Sequence, residues 1–300
     1  MKRVLKYIID EEYGGKTVKD FLIRRCRMSG TLIKGLKSTE DGIMVNGERK
    51  FVTHTINRGD ELVISIYEDK SENILPIRMD FTNVYEDEDI IIVEKPPNMP
   101  THPSQGNFSN TLANALMYYW NERGEQHTFR AVNRLDKDTS GLMCVAKNSY
   151  AHAVLCDEIK NKVLKRRYRA IVCGDVREDG TVDAPIARSG ESVIKRCVSA
   201  DGQNAVTHYK VKERLGKYTV LELELETGRT HQIRVHMSHI GHPLLGDWLY
   251  GEENHDLFDR QALHSCYIEL IHPISGKKIT FNSKMPQDML NFVKKLRKVY

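Results

Sequence analysis

The sequence predicts an α+β protein in which helices flank a mixed, largely antiparallel sheet, with a small amino-terminal α/β module in front. Three observations predict this class. The 300 residues are 40% hydrophobic, enough for a sizeable core in one large or two ordinary domains. Some strand patterns alternate with helical ones, and others follow one another without a helix between them. A polar stretch separates the first 70 residues from the rest.

The amino-terminal module begins with two helical patterns. Thr17 is placed to cap the first helix, and Ser29 is placed to start the second. A short strand at 43–45 then runs into Asn46-Gly47, a dipeptide typical of hairpin turns. A further strand is predicted at 62–66, so the module combines two helices with a small sheet.

Basic residues form two clusters of a single sign. Five bases and no acid lie between residues 21 and 39, and six of the ten residues from 160 to 169 are basic. Surfaces that merely face solvent usually mix both signs, so these clusters predict a polyanionic partner, most simply nucleic acid. The bases of the first cluster are Arg24, Arg25, Arg27, Lys34 and Lys37.

We expect the module to span residues 1–70, a linker to span 71–82 and a second domain to span 83–300. The second domain opens with the β-branched run Ile-Ile-Ile-Val, which predicts a buried strand. A polar, turn-rich loop follows that strand, and a helix capped by Asn110 or Thr111 comes next.

The rest of the second domain alternates between strand and helix patterns. Predicted strands lie at 142–146, 168–173, 218–225, 262–271 and 278–281. One helix is expected from Ser149 to residue 160, and a basic helix is expected at the end of the chain. Adjacent strand patterns without an intervening helix favour antiparallel pairing over a parallel sheet.

Residues 131–141 carry the most unusual combination of side chains. Two acids and two bases lie within five positions, and the turn-forming trio Thr139-Ser140-Gly141 follows them. Arg134 and Asp136 are two residues apart, so an extended chain would present both to the same side. A charged surface loop is the alternative interpretation, and for an isolated Arg-x-Asp it is the common one.

Other kinds of site find little support in the sequence. His239 and His242 have a chelating spacing, but no carboxylate or cysteine completes a ligand set, so no metal is expected. A Ser-His-Asp triad can be assembled from Ser140, a histidine and Asp136, but the nucleophile elbow of hydrolases is missing. The six cysteines are typical of reduced thiols. We expect a cytoplasmic protein without a signal peptide or a membrane span.

Five ordered motifs resemble those of the RluA-type pseudouridine synthases. They are "VYEDEDIIIVEKPPNMPTHPS", "NRLDKDTSGL", "DAPIARSG", "TGRTHQIRVHMSHIGHPLLGDWLYG" and "ALHSCYIELIHP". The resemblance implies the pseudouridine synthase fold and the isomerisation of uridine in structured RNA, either large-subunit ribosomal RNA or transfer RNA. These enzymes break the bond from ribose to ring nitrogen, rotate the uracil and rejoin it through carbon 5. No metal or organic cofactor is implied.

The resemblance also implies roles for four residues. Asp136 is the implied catalytic carboxylate, Arg234 of the "HQIR" motif is its cationic partner, and Tyr168 packs on the uracil. The alternative for Tyr168 is an ordinary aromatic side chain of a strand. Arg134 is implied to enter the RNA and to help hold the flipped nucleotide out of the stack. Physical reasoning also requires a cation beside such a carboxylate, because a dry site disfavours the charged form.

Further side chains are expected around this site. RNA contacts are expected from His102, Lys165, Arg166 and Arg167, with support of the site as the alternative for His102. Support for the site is expected from Lys95, Thr139 and His231. Ile233 is expected to lie on a strand, where it would face away from Arg234 and pack. The chain departs from the family pattern at Asn133, where histidine is usual, and at Arg166, where lysine is usual.

The front module resembles the alpha-L RNA-binding domain of a small-subunit ribosomal protein. This resemblance implies that its second helix and basic neighbours lie against RNA phosphates. A charged helical hairpin that acts as a lid is the alternative for this module. For the whole chain, the alternative to an enzyme is a non-catalytic RNA-binding or ribosome-assembly factor. The resemblance favours a monomer.

Overall fold

The structure is a computed structural model that describes residues 2–68, 74–104, 106, 108–190, 192, 194–251 and 257–299. Part of the predicted linker, residues 71–73, lies outside the described residues. None of the helices in the described ranges is both long and apolar enough to cross a membrane.

The amino-terminal module pairs two short helices with a small antiparallel sheet. Its elements are β1 (Lys2–Ile8), α1 (Val18–Arg24), α2 (Gly30–Ser38), β2 (Ile43–Val45), β3 (Glu48–Arg49) and β4 (Glu61–Tyr67). The strand order is β1-β4-β2-β3. Both predicted caps are confirmed, since Thr17 accepts the Asp20 N–H and Ser29 accepts the Leu32 N–H. Asn46 and Gly47 both adopt positive φ in the predicted hairpin turn.

Strand β1 was not predicted from the sequence. It pairs along its whole length with β4, at the edge of the module's sheet. Only Leu5 of its seven residues is buried, and its charged residues interrupt any apolar alternation. Its position therefore depends on pairing with a strand more than fifty residues away, which local pattern does not reveal.

The larger domain is built on one ten-stranded sheet. Its elements are β5 (Thr82–Glu86), β6 (Ile90–Lys95), α3 (Leu112–Asn121), β7 (Arg130–Ala131), β8 (Ser140–Ala146), α4 (Ser149–Lys160), β9 (Lys165–Cys173), β10 (Gly180–Asp183), β11 (Ile186–Arg188), β12 (Arg196–Val198), β13 (Val206–Leu215), β14 (Tyr218–Leu225), α5 (Gln232–His239), β15 (Leu263–Ile271), β16 (Lys278–Asn282) and α6 (Gln287–Leu296).

The strand order of the large sheet is β10-β13-β14-β9-β15-β8-β6-β5, with β16 beside β15 and β7 beside β8. Strands β15 and β8 pair in parallel, and the other described pairs of this sheet are antiparallel. The predicted mixed, largely antiparallel sheet is therefore confirmed. Strands β5, β7 and β10 to β13 were not predicted, and β11 pairs with β12 in a separate hairpin.

Three local predictions were wrong. Asn148, not Ser149, caps α4, because its side chain accepts the Ala151 N–H. The turn was predicted at Thr139-Ser140-Gly141, but the hydrogen bond that closes it runs from the Thr139 N–H to the Asp136 carbonyl. Ser140 and Gly141 are the first residues of β8. The segment around Ile233, expected to be extended, is the helix α5. Of the two candidate caps for α3, Thr111 is the one used.

Helices cover both faces of the large sheet. Alternate residues of β6 face opposite sides, with Ile91 and Val93 in one core and Ile90 and Ile92 in another. Helices α3 and α5 pack on the first side, and α4 packs on the second. Helix α6 adds Met289 and Val293 to a core next to β9 and β14. The prediction that helices flank the sheet is thus confirmed.

The two domains are packed against each other through α4 and its surroundings. Tyr150 and Val154 of α4 belong to the apolar core of the amino-terminal module. Arg3 of β1 makes a bidentate pair with Asp89, with both N···O distances at 2.9 Å. Apolar contact and an ion pair of low exposure together hold the module against the domain.

Candidate active site

The loop that carries Asp136 joins β7 to β8 and is fixed at several points. Leu135 is buried, and its backbone exchanges two hydrogen bonds with the hydroxyl of Thr101. Thr139 is also buried and its hydroxyl accepts a hydrogen bond from Gln261. Gly141 has φ +112°, and a Cβ there would lie 2.2 Å from the Ser265 carbonyl of β15. The loop can therefore hold Asp136 in one position.

Lys95 ties the end of β6 to the same loop. Its amino group is fully buried and donates to the carbonyls of Pro96 at 2.8 Å and Lys137 at 3.0 Å. Burial lowers the pKa of Lys95 to about 7, although the charges of Asp138 and Asp136 oppose this shift. The expected supporting role of Lys95 corresponds to these two backbone contacts.

Arg234 faces Asp136 from the first turn of α5. Its Nη1 is 3.4 Å from Asp136 Oδ2, and this pair was predicted across nearly one hundred residues of chain. The rest of the guanidinium is bound by Asp247, with Nε and Nη2 at 2.7 and 2.8 Å from its carboxylate. Asp247 is buried. Burial of Arg234 acts to lower its pKa, but the two carboxylates, Asp247 more than Asp136, outweigh this and raise the pKa of Arg234. Asp247 was not predicted, although it lies within a quoted motif.

His231 also approaches Asp136, and it is itself bound by Tyr250. His231 Nε2 lies 4.0 Å from Asp136 Oδ1, and His231 Nδ1 lies 2.8 Å from the hydroxyl of Tyr250. Tyr250 was likewise not predicted. Ile233 is buried in the same core as Tyr168, so its expected packing role is confirmed.

Gln232 explains why this segment is helical. Its buried side chain accepts the Arg229 N–H and donates to Val206 and Thr207 of β13. These hydrogen bonds fix the first turn of α5 against the sheet. The sequence gives no local sign of these hydrogen bonds, because the acceptors of the Gln232 amide lie on β13, a strand that was not predicted.

Strand β9 divides its basic run between two faces of the sheet. Arg166 and Tyr168 are both buried and line the cleft next to Asp136. Arg167 points the other way, pairs with Glu224 at 2.9 Å and stacks over Tyr267. Lys165 is exposed on the same side as Arg167, because alternate residues of a strand face alternate sides. The expectation that Arg167 and Lys165 line the RNA site together with Arg166 was therefore wrong.

Asp136 lies in a cleft of about 820 Å³ that also contains Arg134, Tyr168 and His102. Arg134 is exposed, whereas Tyr168 is buried. Burial lowers the pKa of His102, and its ring packs edge-on against Phe129. Further basic residues of the lining are Lys160, Lys162, Arg166 and Arg229.

Asn133, which stands in the usual histidine position, has a structural contact. Its side-chain oxygen accepts the Cys144 N–H at 2.8 Å and links the loop to β8. Of the two histidines considered for a metal, His242 is engaged elsewhere, because it binds the Cys173 carbonyl at 3.0 Å.

The five bases of the first cluster, all in the amino-terminal module, fall into two groups. Four are exposed and belong to α1, its C-cap and α2, namely Arg24, Arg25, Lys34 and Lys37. Arg27 instead pairs with Asp157 at 3.1 Å and with the buried Glu158 at 3.2 Å. The guanidinium of Arg27 thus joins the module to α4. Its assignment to an RNA-binding surface is corrected to the interface between the domains.

Comparison with known proteins identifies the family. The sequence profile of the RNA pseudouridylate synthases matches residues 89–239, which include Asp136, Tyr168 and Arg234. The chain belongs to this family. As a pseudouridine synthase, it is an isomerase that acts on RNA.

Several pseudouridine synthases resemble the chain over most of its length. It is 41% identical over 282 residues to the uncharacterized RNA pseudouridine synthase YjbO of Bacillus subtilis (strain 168), covering 93% of this chain and 98% of that protein. It is 40% identical to ribosomal large subunit pseudouridine synthase D of Escherichia coli (strain K12), covering 80% of this chain and 77% of that protein.

A solved structure supports the fold assignment. Human RNA pseudouridylate synthase domain containing 1 superposes with a TM-score of 0.57 at 26% sequence identity. The match covers 73% of this chain and 95% of the human chain. The pseudouridine synthase fold predicted from the motifs is therefore confirmed.

Proposed function

We propose that this pseudouridine synthase uses Asp136 as its catalytic carboxylate and modifies uridines in ribosomal RNA of the large subunit. The supporting observation is the geometry of a smaller pocket that shares Asp136 and Tyr168 with the cleft. There the Asp136 carboxylate faces the Arg234 guanidinium at 3.4 Å, beside the ring of Tyr168. Relatives named ribosomal large subunit pseudouridine synthase D support the choice of RNA.

The charge around Asp136 suits a reactive carboxylate. Asp247 takes two of the Arg234 nitrogens, which leaves Nη1 directed at Asp136. The cation can therefore compensate the carboxylate when a base displaces water from the cleft. Because Asp136 remains partly exposed, with 23% of its side chain accessible, a sugar or base can reach it.

The walls of the cleft suit an extruded nucleotide. In this proposal Arg134 occupies the gap left in the RNA, and Tyr168 packs on the uracil that has turned inwards. His102, Arg166 and the other bases of the lining contact the RNA backbone. Phosphate contacts of this kind position the substrate without reading its sequence.

The amino-terminal module supplies a second RNA contact. Arg24, Arg25, Lys34 and Lys37 leave their charges exposed on or next to its two helices. A module packed against α4 presents this surface at a fixed place relative to the cleft, which favours structured RNA over short single strands. We propose that the enzyme works as a cytoplasmic monomer. Transfer RNA is the second candidate substrate.

Substitution of Asp136 tests the proposed function. Asp136→Asn keeps the shape of the side chain but removes its charge, so we expect pseudouridine formation to be lost while RNA affinity changes little. Asp201→Asn makes the same chemical change at an exposed turn and serves as the control. Pseudouridine mapping in ribosomal and transfer RNA from cells with and without the gene identifies the target. Modification of the correct RNA by Asp136→Asn would disprove the proposed mechanism.

A further inference from the structure

His231 occupies a strained position directly in front of α5. Its backbone has φ +58° and ψ +19°, in the left-handed region that non-glycine residues rarely adopt. Its side chain makes no capping hydrogen bond with the helix, and its ring is directed at Tyr250 and Asp136 instead. Strain of this kind is found where the position of a side chain matters for function.

The hydrogen bonds of Tyr250 favour one of the two neutral tautomers of His231. The Arg196 N–H donates to the Tyr250 oxygen at 2.8 Å, and a backbone N–H can only donate. The single proton of the phenol is then available for His231 Nδ1, which lies 2.8 Å away. Burial raises the pKa of Tyr250, so the phenol keeps this proton at neutral pH.

A neutral His231 ring with an accepting Nδ1 must carry its own proton on Nε2. Burial lowers the pKa of His231, which favours the neutral ring. The proton on Nε2 faces Asp136 Oδ1 at 4.0 Å, while Arg234 faces the other oxygen, Oδ2. Each oxygen of the carboxylate therefore has its own donor group.

Tyr250 connects the two donors. Its ring packs edge-on against His231, with centroids 5.6 Å apart, and the guanidinium of Arg234 lies 5.1 Å from its centre. Its backbone N–H donates to Asp247, and its carbonyl accepts a hydrogen bond from Ser238 of α5. Tyr250 thus fixes His231 and Arg234, the two groups that face Asp136, relative to helix α5.

We propose that His231 is a positioning residue for Asp136, held by Tyr250 in the tautomer that donates from Nε2 to Oδ1. The distance of 4.0 Å is long for a hydrogen bond, and such bonds often shorten only when substrate fills a site. This hydrogen bond would fix the rotation of the Asp136 carboxylate and would leave the carboxylate charged. This inference rests on the proposed role of Asp136.

Nitrogen NMR of the enzyme without substitutions tests the tautomer of His231 directly. With ¹⁵N-labelled histidine, we expect Nδ1 of His231 to give the signal of an unprotonated nitrogen and Nε2 that of a protonated one. The chain has 12 histidines, so the signals that disappear in His231→Gln provide the assignment. In Tyr250→Phe, which lacks the phenol proton, we expect Nδ1 to become at least partly protonated. An Nδ1–H tautomer in the unmodified enzyme would overturn the proposal.

A pair of amide variants separates positioning of Asp136 from a merely structural role. The amide of His231→Gln can reach the place of Nε2, whereas the shorter His231→Asn reaches only that of Nδ1. Asn also tolerates the left-handed backbone well, so a structural role would favour it. We expect kcat to fall on the order of 100-fold in His231→Asn and clearly less in His231→Gln, with KM for RNA unchanged in both.

The two proposals fail in different ways. If His231→Asn is as active as His231→Gln, the positioning role is wrong even when Asp136→Asn is inactive. If Asp136→Asn keeps its activity, the proposed function of Asp136 fails, and the positioning role fails with it. The tautomer measurement does not depend on activity and therefore still shows whether Tyr250 donates to His231.

Discussion

Arg234 and Asp247 form a bidentate ion pair, with nitrogen-to-oxygen distances of 2.7 and 2.8 Å, in which both residues are buried. The pair uses the Nε and Nη2 edge of the guanidinium and leaves Nη1 for Asp136. Two parallel hydrogen bonds fix the plane of a guanidinium as well as its position. Asp247 therefore determines the direction from which Asp136 meets its cation.

We predict that Asp247→Asn lowers both activity and stability. Removing one charge of a buried pair leaves the other uncompensated, which costs about 3–5 kcal/mol of unfolding free energy. Arg234 then loses its fixed plane, and misplacement at a reacting centre lowers kcat on the order of 100-fold. Chemical denaturation and single-turnover assays measure the two effects.

Asp89→Asn is the matched control for this prediction. Asp89 is also buried and also forms a bidentate pair with an arginine, the partly exposed Arg3, but at the interface between the domains. It should lose stability and keep its kcat. If Asp247→Asn loses stability while its kcat stays at the level of Asp89→Asn, Asp247 has no role in orienting Arg234.

The sequence revealed the central pair of the site but not the groups that hold it. Asp136 and Arg234 were found by resemblance to family motifs, since spacing alone gives no reason to join residues 98 apart. Asp247 and Tyr250 lie in one of the quoted motifs but had no expected task. Their roles depend on how residues 247–250 pack against α5. Such tertiary contacts leave no periodic pattern in the sequence.

The fold also was predictable only where local interactions determine it. Helices with clear caps, such as those that begin after Thr17 and Ser29, were predicted correctly because a cap is a local interaction. Strand β1 and helix α5 were missed or misjudged because distant partners determine them: β4 for the first, and the hydrogen bonds of Gln232 to β13 for the second.

The two kinds of base in the amino-terminal module lead to opposite predictions for RNA binding. Arg24 is exposed, so if it contacts RNA, Arg24→Ala should lower the slope of log affinity against log salt by about 1. Arg27 is already paired with Asp157 and Glu158, so Arg27→Ala should leave that slope nearly unchanged. Binding titrations at several salt concentrations measure both.

Arg27→Ala should instead weaken the contact between the domains. It leaves the carboxylate of Glu158, which is fully buried, without its arginine, so the free energy of unfolding should fall. Arg24→Ala should change stability little, because the side chain is exposed. The same salt slope for both variants would contradict the division of the module's bases into two groups.

Lys95 predicts a pH dependence of stability that can be measured by comparison with Lys95→Met. Burial lowers its pKa to about 7 in the folded protein, whereas an unfolded chain has a lysine pKa of about 10.4. Between these values the unfolded chain holds a proton that the folded protein lacks, so unfolding takes up a proton. The free energy of unfolding should therefore rise with pH from about 7 to about 10, by a few kcal/mol relative to Lys95→Met.

The contacts of Lys95 suit its neutral form. A neutral amine has two N–H groups, and the structure supplies two carbonyl acceptors, from Pro96 and Lys137. Lys95→Met removes the proton uptake at this position but leaves the other titrating groups, so the difference between the two unfolding curves isolates the contribution of Lys95. Denaturation at a series of pH values measures this difference. A constant difference across the window would mean that Lys95 stays charged in the folded protein and that Asp136 and Asp138 compensate its burial.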